Sequence, residues 1–242
     1  MDTIKVYIEK IEKYDFDKIY GFLGRVTEKS GVWKSLENKK TILLKPNLLG
    51  AFKPEKAVTT HPVVLEAMIK LLLEHKKTVW IGDSPGGSVL VQKVWRETGI
   101  EAIASKYNLN LVNFNSGGII TRKNGKFVFN ISKYFFEADA VINVAKYKTH
   151  SLMSYTGAVK NLYGIIPGLK KSDFHRQNPE VEAFAKVISN LYEIAKEKVV
   201  FNVLDGIWGM DGEGPSAGIP RNFGVIFASE KAAVLDFIAS QM

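Results

Sequence analysis

The chain has 242 residues, with 33 Lys plus Arg against 25 Asp plus Glu, so its net charge is +8. It has no cysteine. That excludes disulfides, thiolate zinc sites, cysteine nucleophiles and any cysteine-ligated iron–sulfur cluster held by these residues.

Residues 4–8 alternate weakly and predict a strand. Residues 16–27 place Ile19, Phe22, Leu23 and Val26 at helical spacing and stop at Ser30-Gly31. Residues 41–45 form a short apolar run of the kind found in buried parallel strands, ending at Lys45-Pro46-Asn47. Pro62 then opens a helix, at a position where its missing N–H costs nothing. Residues 78–82 read as a strand followed by the turn Asp83-Ser84-Pro85-Gly86-Gly87-Ser88. A helix over 89–98 ends at Gly99, and a strand follows over 109–114.

Asn124-Gly125, between residues 119–121 and 126–131, predicts an antiparallel hairpin. Residues 140–145 form another buried-strand run, and residues 154–163 are expected to be helical. A helix after Asn178-Pro179 carries Val181, Phe184, Val187, Ile188, Leu191 and Ile194 on one face. Strands over 199–204 and 223–227 and a last helix from Glu230 complete the pattern.

This alternation predicts one α/β domain over residues 1–242. Its open sheet is mainly parallel, with flanking helices and the hairpin as an antiparallel excursion. No apolar run reaches the roughly 18 residues that cross a bilayer. The first 15 residues lack a signal-peptide core, so a soluble, cytoplasmic protein without a membrane partner is expected.

Open α/β sheets bind ligands beyond the carboxyl ends of their strands. Four predicted strand ends carry unusual polar residues, which is more informative than any single motif. The first is Lys45 with Asn47. The second is Asp83 and Ser84 with Gly86 and Gly87, a glycine turn suited to a phosphate or carboxylate. The third is Lys146-Tyr147-Lys148-Thr149-His150, followed by Lys160-Asn161. Here lysines neutralise an acidic ligand and a histidine moves a proton.

The fourth strand end is Asp205, which opens a glycine-rich segment through Asp211 to Pro215 that reads as a lid or cation-binding loop. In this reading His150, Lys146 and His61 are the candidate catalytic residues. Lys45, Asn47, Asp83, Ser84, Gly86, Gly87, Lys148, Lys160, Asn161, Asp205 and Asp211 are the candidate ligand-binding residues. His61, His150 and an aspartate are a possible divalent-metal set by residue type, although no HxH, HxxxH or HExxH spacing supports it. His75 reads as a charge partner at a helix end, and His175 as part of a polar connection.

At these segments the chain resembles the domain-of-unknown-function 362 family. The resemblance rests on Lys45-Pro46-Asn47, Thr60-His61-Pro62, Gly82-Asp83-Ser84-Pro85-Gly86, Lys146-Tyr147-Lys148-Thr149-His150, Lys160-Asn161-Leu162-Tyr163-Gly164, and Asp205-Gly206 with the 212–215 segment. They stand in the family's order. The resemblance implies an α/β core of no generally established activity. Many relatives add a ferredoxin-like domain with cysteine-ligated clusters, which implies redox work. This chain departs there, so an iron–sulfur cluster would belong to a partner protein, and the resemblance implies a short C-terminus.

Three functions follow as alternatives. The first is an enzyme core acting on a small anionic molecule. The second is a non-catalytic module binding such a ligand or a partner. The third is nucleic-acid binding through the +8 charge, which the lack of interleaved aromatics or a known motif disfavours.

Overall fold

The computed structural model describes residues 3–242. Its strands are β1 (Tyr7–Lys10), β2 (Thr41–Pro46), β3 (Thr78–Asp83), β4 (Asn110–Asn113), β5 (Ile119–Asn124), β6 (Phe127–Ser132), β7 (Ala140–His150), β8 (Ser154–Thr156), β9 (Val199–Asp211) and β10 (Ile219–Ser229). The main sheet has the order β1-β10-β9-β7-β2-β3-β4, with β8 added to the end of β7. From β9 to β4 all neighbours are parallel. β10, β1 and β8 pair antiparallel. The expected mixed, mainly parallel sheet is therefore present. The β5–β6 hairpin forms, but as a separate two-stranded sheet.

The long helices are α1 (Phe16–Ser30), α3 (Pro62–Glu74) and α9 (Val181–Ala195). Short helices are α2 (Val32–Ser35), α4 (Val91–Glu97), α5 (Ile100–Lys106), α6 (Lys133–Glu137), α7 (Ala158–Asn161), α8 (Lys170–Gln177) and α10 (Ala232–Ala239). Side chains alternate across a strand. Ile42 and Leu44 accordingly join Phe22, Leu23, Leu65 and Met68 of α1 and α3, while Leu43 and Val141 join Phe184, Val187 and Leu191 of α9. Asp15 caps α1 through the amide of Lys18, and Gly31 ends it at φ 76°.

Several local expectations change. β1 begins three residues later than predicted. Gly99 separates two helices, so the helix α5 was not legible in the sequence. Residues 154–163 hold β8 and a single turn of helix rather than one continuous helix. Residues 170–175 lie in α8, not in a connection. β7 and β9 run far past their apolar stretches, so Lys146, Lys148 and His150 stand in a strand and the segment from Asp205 to Asp211 is not a loop. Both strands are flanked there, and their backbone groups pair with β8, with β10 and with one another. Gly209 serves this close approach, because a side chain there would overlap the Tyr147 carbonyl and the Phe223 ring.

One polar element crosses the apolar interior. Asn47 donates to Asn161 at 3.0 Å, Asn161 to Asn143 at 2.8 Å, and Asn143 to Asn202 at 2.9 Å. Asn202 ends the series on the Ser229 carbonyl at 3.2 Å. Asn143 also donates to the Ala158 carbonyl at 2.8 Å, which ties α7 to the sheet. Buried amides are tolerated only when paired. Asn143→Ala would strip partners from three buried groups and is expected to cost about 2–3 kcal/mol in urea unfolding. A cost within a few tenths of a kcal/mol would show that the amide series contributes nothing.

Candidate functional site

A cavity of about 200 Å³ opens at the carboxyl ends of β2, β3 and β7. Nine of the expected residues line it: Asn47, Asp83, Ser84, Gly86, Gly87, Lys148, His150, Lys160 and Asn161. Lys45 lies just beneath, with its Nζ 2.8 Å from Asp83 Oδ1. The second Asp83 oxygen accepts from the Leu48 amide at 2.7 Å. This pair sits directly against Gly164, where a side chain would overlap both partners. Burial pushes the Lys45 amine down, and the carboxylate opposes it.

The glycine turn after β3 does not open a helix, because α4 begins only at Val91, with Leu90 at its cap. The glycine turn expected to suit a phosphate or carboxylate therefore has no helix N-terminus directly behind it. Instead Ser84 organises the wall. Its amide donates to the Gly164 carbonyl at 3.1 Å, and its hydroxyl donates to Asn115 at 2.7 Å.

The cavity also has members that the sequence reading missed. Lys171, His175, Ser172, Tyr163 and Thr156 line it. Lys171 and His175 are four residues apart and share one face of α8. That helix carries little apolar periodicity, so only this i, i+4 spacing could have revealed them. Lys171 spends its three donors on the Ser84 carbonyl at 2.7 Å, the Ser84 hydroxyl at 2.6 Å and the Ile166 carbonyl at 3.1 Å. Burial brings its amine down to about 8.

Two amines face the cavity with capacity to spare. Lys148 is buried and donates to Asn47 Oδ1 at 3.0 Å and to the Val58 carbonyl at 2.8 Å. Burial, and then the nearby Lys160 and Lys146, push it well below the ordinary lysine range. Lys160 is half-buried, and among the described residues neither a hydrogen bond nor an ion pair engages its amine. Burial alone brings it down to about 8.

The two cavity histidines are parallel, with rings 6.4 Å apart. His150 Nδ1 accepts from the amides of Leu152 at 3.1 Å and Met153 at 3.2 Å. Nδ1 therefore carries a lone pair, and the proton of the neutral ring sits on Nε2. Burial, with Lys160, His175 and Lys148, holds His150 down to about 3. His175 stacks on Phe184 at 3.9 Å, and burial with Lys160 holds it down to about 4.

Four expected residues stand elsewhere. Lys146, His61 and Asp205 form a second buried cluster around Tyr14. Asp205 accepts from Lys146 at 2.9 Å and from the Tyr14 hydroxyl at 3.0 Å, and the same carboxylate accepts from the His61 amide at 3.0 Å. The His61 ring stacks on Tyr14 at 3.5 Å, and its Nδ1 caps α3 through the Val63 amide. Lys146 and His61 are thus bound into support for the strand ends rather than aimed into the cavity. Asp211 is paired with Arg221 at the surface, 2.7 Å away. Among the described residues no group of three His, Asp or Glu side chains is placed to hold a metal ion, so His61, His150 and an aspartate are not brought together as a metal set. His75 stacks on Trp33 at 3.5 Å.

The model of a domain of unknown function, DUF362, matches residues 42–241. The chain belongs to this family. A thylakoid-associated protein of Synechocystis is 33% identical over 204 residues, covering 83% of this chain and 62% of that protein. The structure of a lactate racemase apoprotein from Thermoanaerobacterium thermosaccharolyticum superposes with a TM-score of 0.55 at 18% identity, covering 96% of this chain and 56% of that one. The chain thus spans about three fifths of each relative's length, and the racemase likeness is one of fold. Among the described residues no helix is long and apolar enough to cross a membrane.

Three histidines held neutral make a pH prediction. In an unfolded chain they take protons near 6.5. In the fold they resist until about 4 for His61 and His175 and about 3 for His150. The unfolded state then binds more protons, so stability is lost as pH falls from about 6.5 towards 4. Asp236, raised by burial to about 6, works in the opposite direction, but it is one group against three. Urea midpoints in anion-free buffer are expected to fall from pH 7 to pH 4.5. A constant or rising midpoint would contradict the neutral histidines.

Proposed function

We propose that this domain is an enzyme core that binds a small carboxylate or phosphate in the cavity at the ends of β2, β3 and β7 and moves a proton to or from it. The observation that carries the reading is Lys160, which lines the cavity and whose amine has no carboxylate or other acceptor among the described residues. Lys45 and Lys146 each have an aspartate, and Lys171 has three oxygens. A cation drawn partly out of water without a protein partner is penalised, and a bound anion supplies the missing partner.

The remaining groups suit this ligand. His150 presents an Nε2–H donor, which fits an oxyanion or a carbonyl oxygen better than it fits a base. His175 has both nitrogens free of protein partners among the described residues and takes the proton-accepting role. Asn47 and Asn161 hold Lys148 in place, and Ser84, Gly86 and Gly87 form the opposite wall. A volume of about 200 Å³ accommodates phosphate or a three-carbon acid. The lysines that matter face this cavity, not an open surface stripe, which disfavours nucleic acid as the ligand. Lactate, the substrate in the racemase's name, is a suitable probe of this size.

Calorimetric titration with phosphate and with lactate at low ionic strength tests the reading. Lys160→Met is expected to weaken the bound anion at least tenfold while leaving the melting temperature equal to or above wild type, because it removes an unpartnered charge. Equal affinity in wild type and variant, or no binding of either anion, would overturn it. A non-catalytic module would keep the affinity loss, but His175→Ala would then change affinity only, with no turnover for pH to modulate.

A further inference from the structure

The bonding of Lys148 is unlike that of the other buried lysines. Among the described residues its Nζ has two acceptors, Asn47 Oδ1 at 3.0 Å and the Val58 carbonyl at 2.8 Å, and no carboxylate. A neutral amine has two N–H donors and one lone pair. Both donors are used, which leaves the third direction of the nitrogen, on a residue that lines the cavity, without a protein partner. The Asn47 amide cannot turn to offer its nitrogen instead, because that nitrogen is committed to Asn161 in the amide series. The same side chain that fixes the two N–H groups is thus itself fixed from the centre of the sheet.

Beside this amine stands Lys160, a cation without a partner, whose charge lowers Lys148 further. A buried amine next to a second cation is the arrangement that makes a lysine nucleophilic at neutral pH. A ligand serving both groups needs an electrophilic carbon for one and an oxyanion for the other, within a volume of about 200 Å³. A carbonyl adjacent to a carboxylate meets that requirement.

We propose that Lys148 is a nucleophile that forms a Schiff base with a small 2-oxo acid whose carboxylate is held by Lys160. This rests on the anion-binding reading of the same cavity and adds a covalent step to it. The Nζ lone pair forms a bond to the carbonyl carbon, and the C=O π pair moves to oxygen. One Nζ proton passes to that oxygen, giving the carbinolamine. The hydroxyl accepts a second proton from solvent and leaves as water, giving the iminium, with no oxidant or reductant involved. His150, with its proton on Nε2, is the donor available to the carbonyl oxygen as charge develops there. In the iminium the attached carbon chain becomes acidic, which gives the proton-accepting His175 a reaction to serve.

Trapping with pyruvate and cyanoborohydride tests this on the wild-type chain. The hydride reduces an iminium to a secondary amine, and peptide mapping locates it. The expected result is one carboxyethyl group on Lys148 at pH 7, formed faster than on any other lysine and suppressed by phosphate. Its rate is expected not to rise from pH 7 to 9 and to fall as Lys160 loses its proton near 8, whereas ordinary lysines gain about tenfold per pH unit because their amines are almost fully protonated there. Lys148→Met is expected to abolish the fast adduct, and Lys160→Met to slow it at least tenfold. Adducts spread over surface lysines, or a fast adduct on Lys160 instead, would overturn the assignment. Phosphate binding without a Lys148 adduct would overturn this step alone. Loss of both would overturn the anion reading with it.

Discussion

Buried amines are the constraint around which this domain is organised. Lys45, Lys146, Lys148 and Lys171 all lie under the carboxyl edge of one parallel sheet, with Lys160 half-buried beside them. Each must be compensated, because an ammonium removed from water costs several kcal/mol unless it is paired. The fold compensates them unequally. Lys45 and Lys146 receive aspartates at 2.8 and 2.9 Å. Among the described residues Lys171 receives three neutral oxygens, Lys148 two, and Lys160 none. The gradient runs from supporting structure to cavity, and its uncompensated end is where a ligand has most to contribute.

The same gradient explains why two clusters of similar composition differ in role. Around Tyr14 every polar group of Lys146 and Asp205 that the structure pairs is paired within the protein, and the His61 ring is stacked and used as a helix cap. Around Lys148 and Lys160 the partners are amides, neutral rings and open volume. The asparagine series joins this second cluster to the sheet's centre. Each amide's orientation is determined by its neighbour, so the oxygen offered to Lys148 is set by bonds as distant as Asn202 to Ser229. Site geometry and core stability are therefore not separable properties here.

Membership in a family without an assigned activity places the burden of functional argument on the site, since fold likeness to a racemase at 18% identity carries no chemistry with it. The chain covers about three fifths of its curated relative, and activities of those longer proteins are not attributes of this domain by themselves. What the domain does contain is a cavity with cationic, proton-accepting and hydrogen-bond-donating groups on separate elements, β7, α7 and α8, each anchored independently.

The sequence alone determined the architecture and most of the cavity. Apolar runs such as residues 41–45 and 140–145, short and bounded by polar residues, read as strands buried on both faces, and strand-end polar residues in such sheets gather at one edge. That reasoning reaches Asn47, Asp83, Lys148 and His150, while Lys160 and Asn161 were picked out as a polar pair following the third strand end. It also gathers Lys146 and Asp205, because a strand end is indistinguishable in sequence from any other strand end, and His61 was added from its place at a helix entry. Asn143 and Asn202 were visible as single polar residues inside apolar runs, but their pairing requires knowing that β7 and β9 are neighbours. Lys171 and His175 had no apolar pattern to locate them. Only the tertiary structure decided which lysines have acid partners. Pairing depends on distances of about 3 Å between residues 38 or more positions apart, and local propensity contains no information at that range.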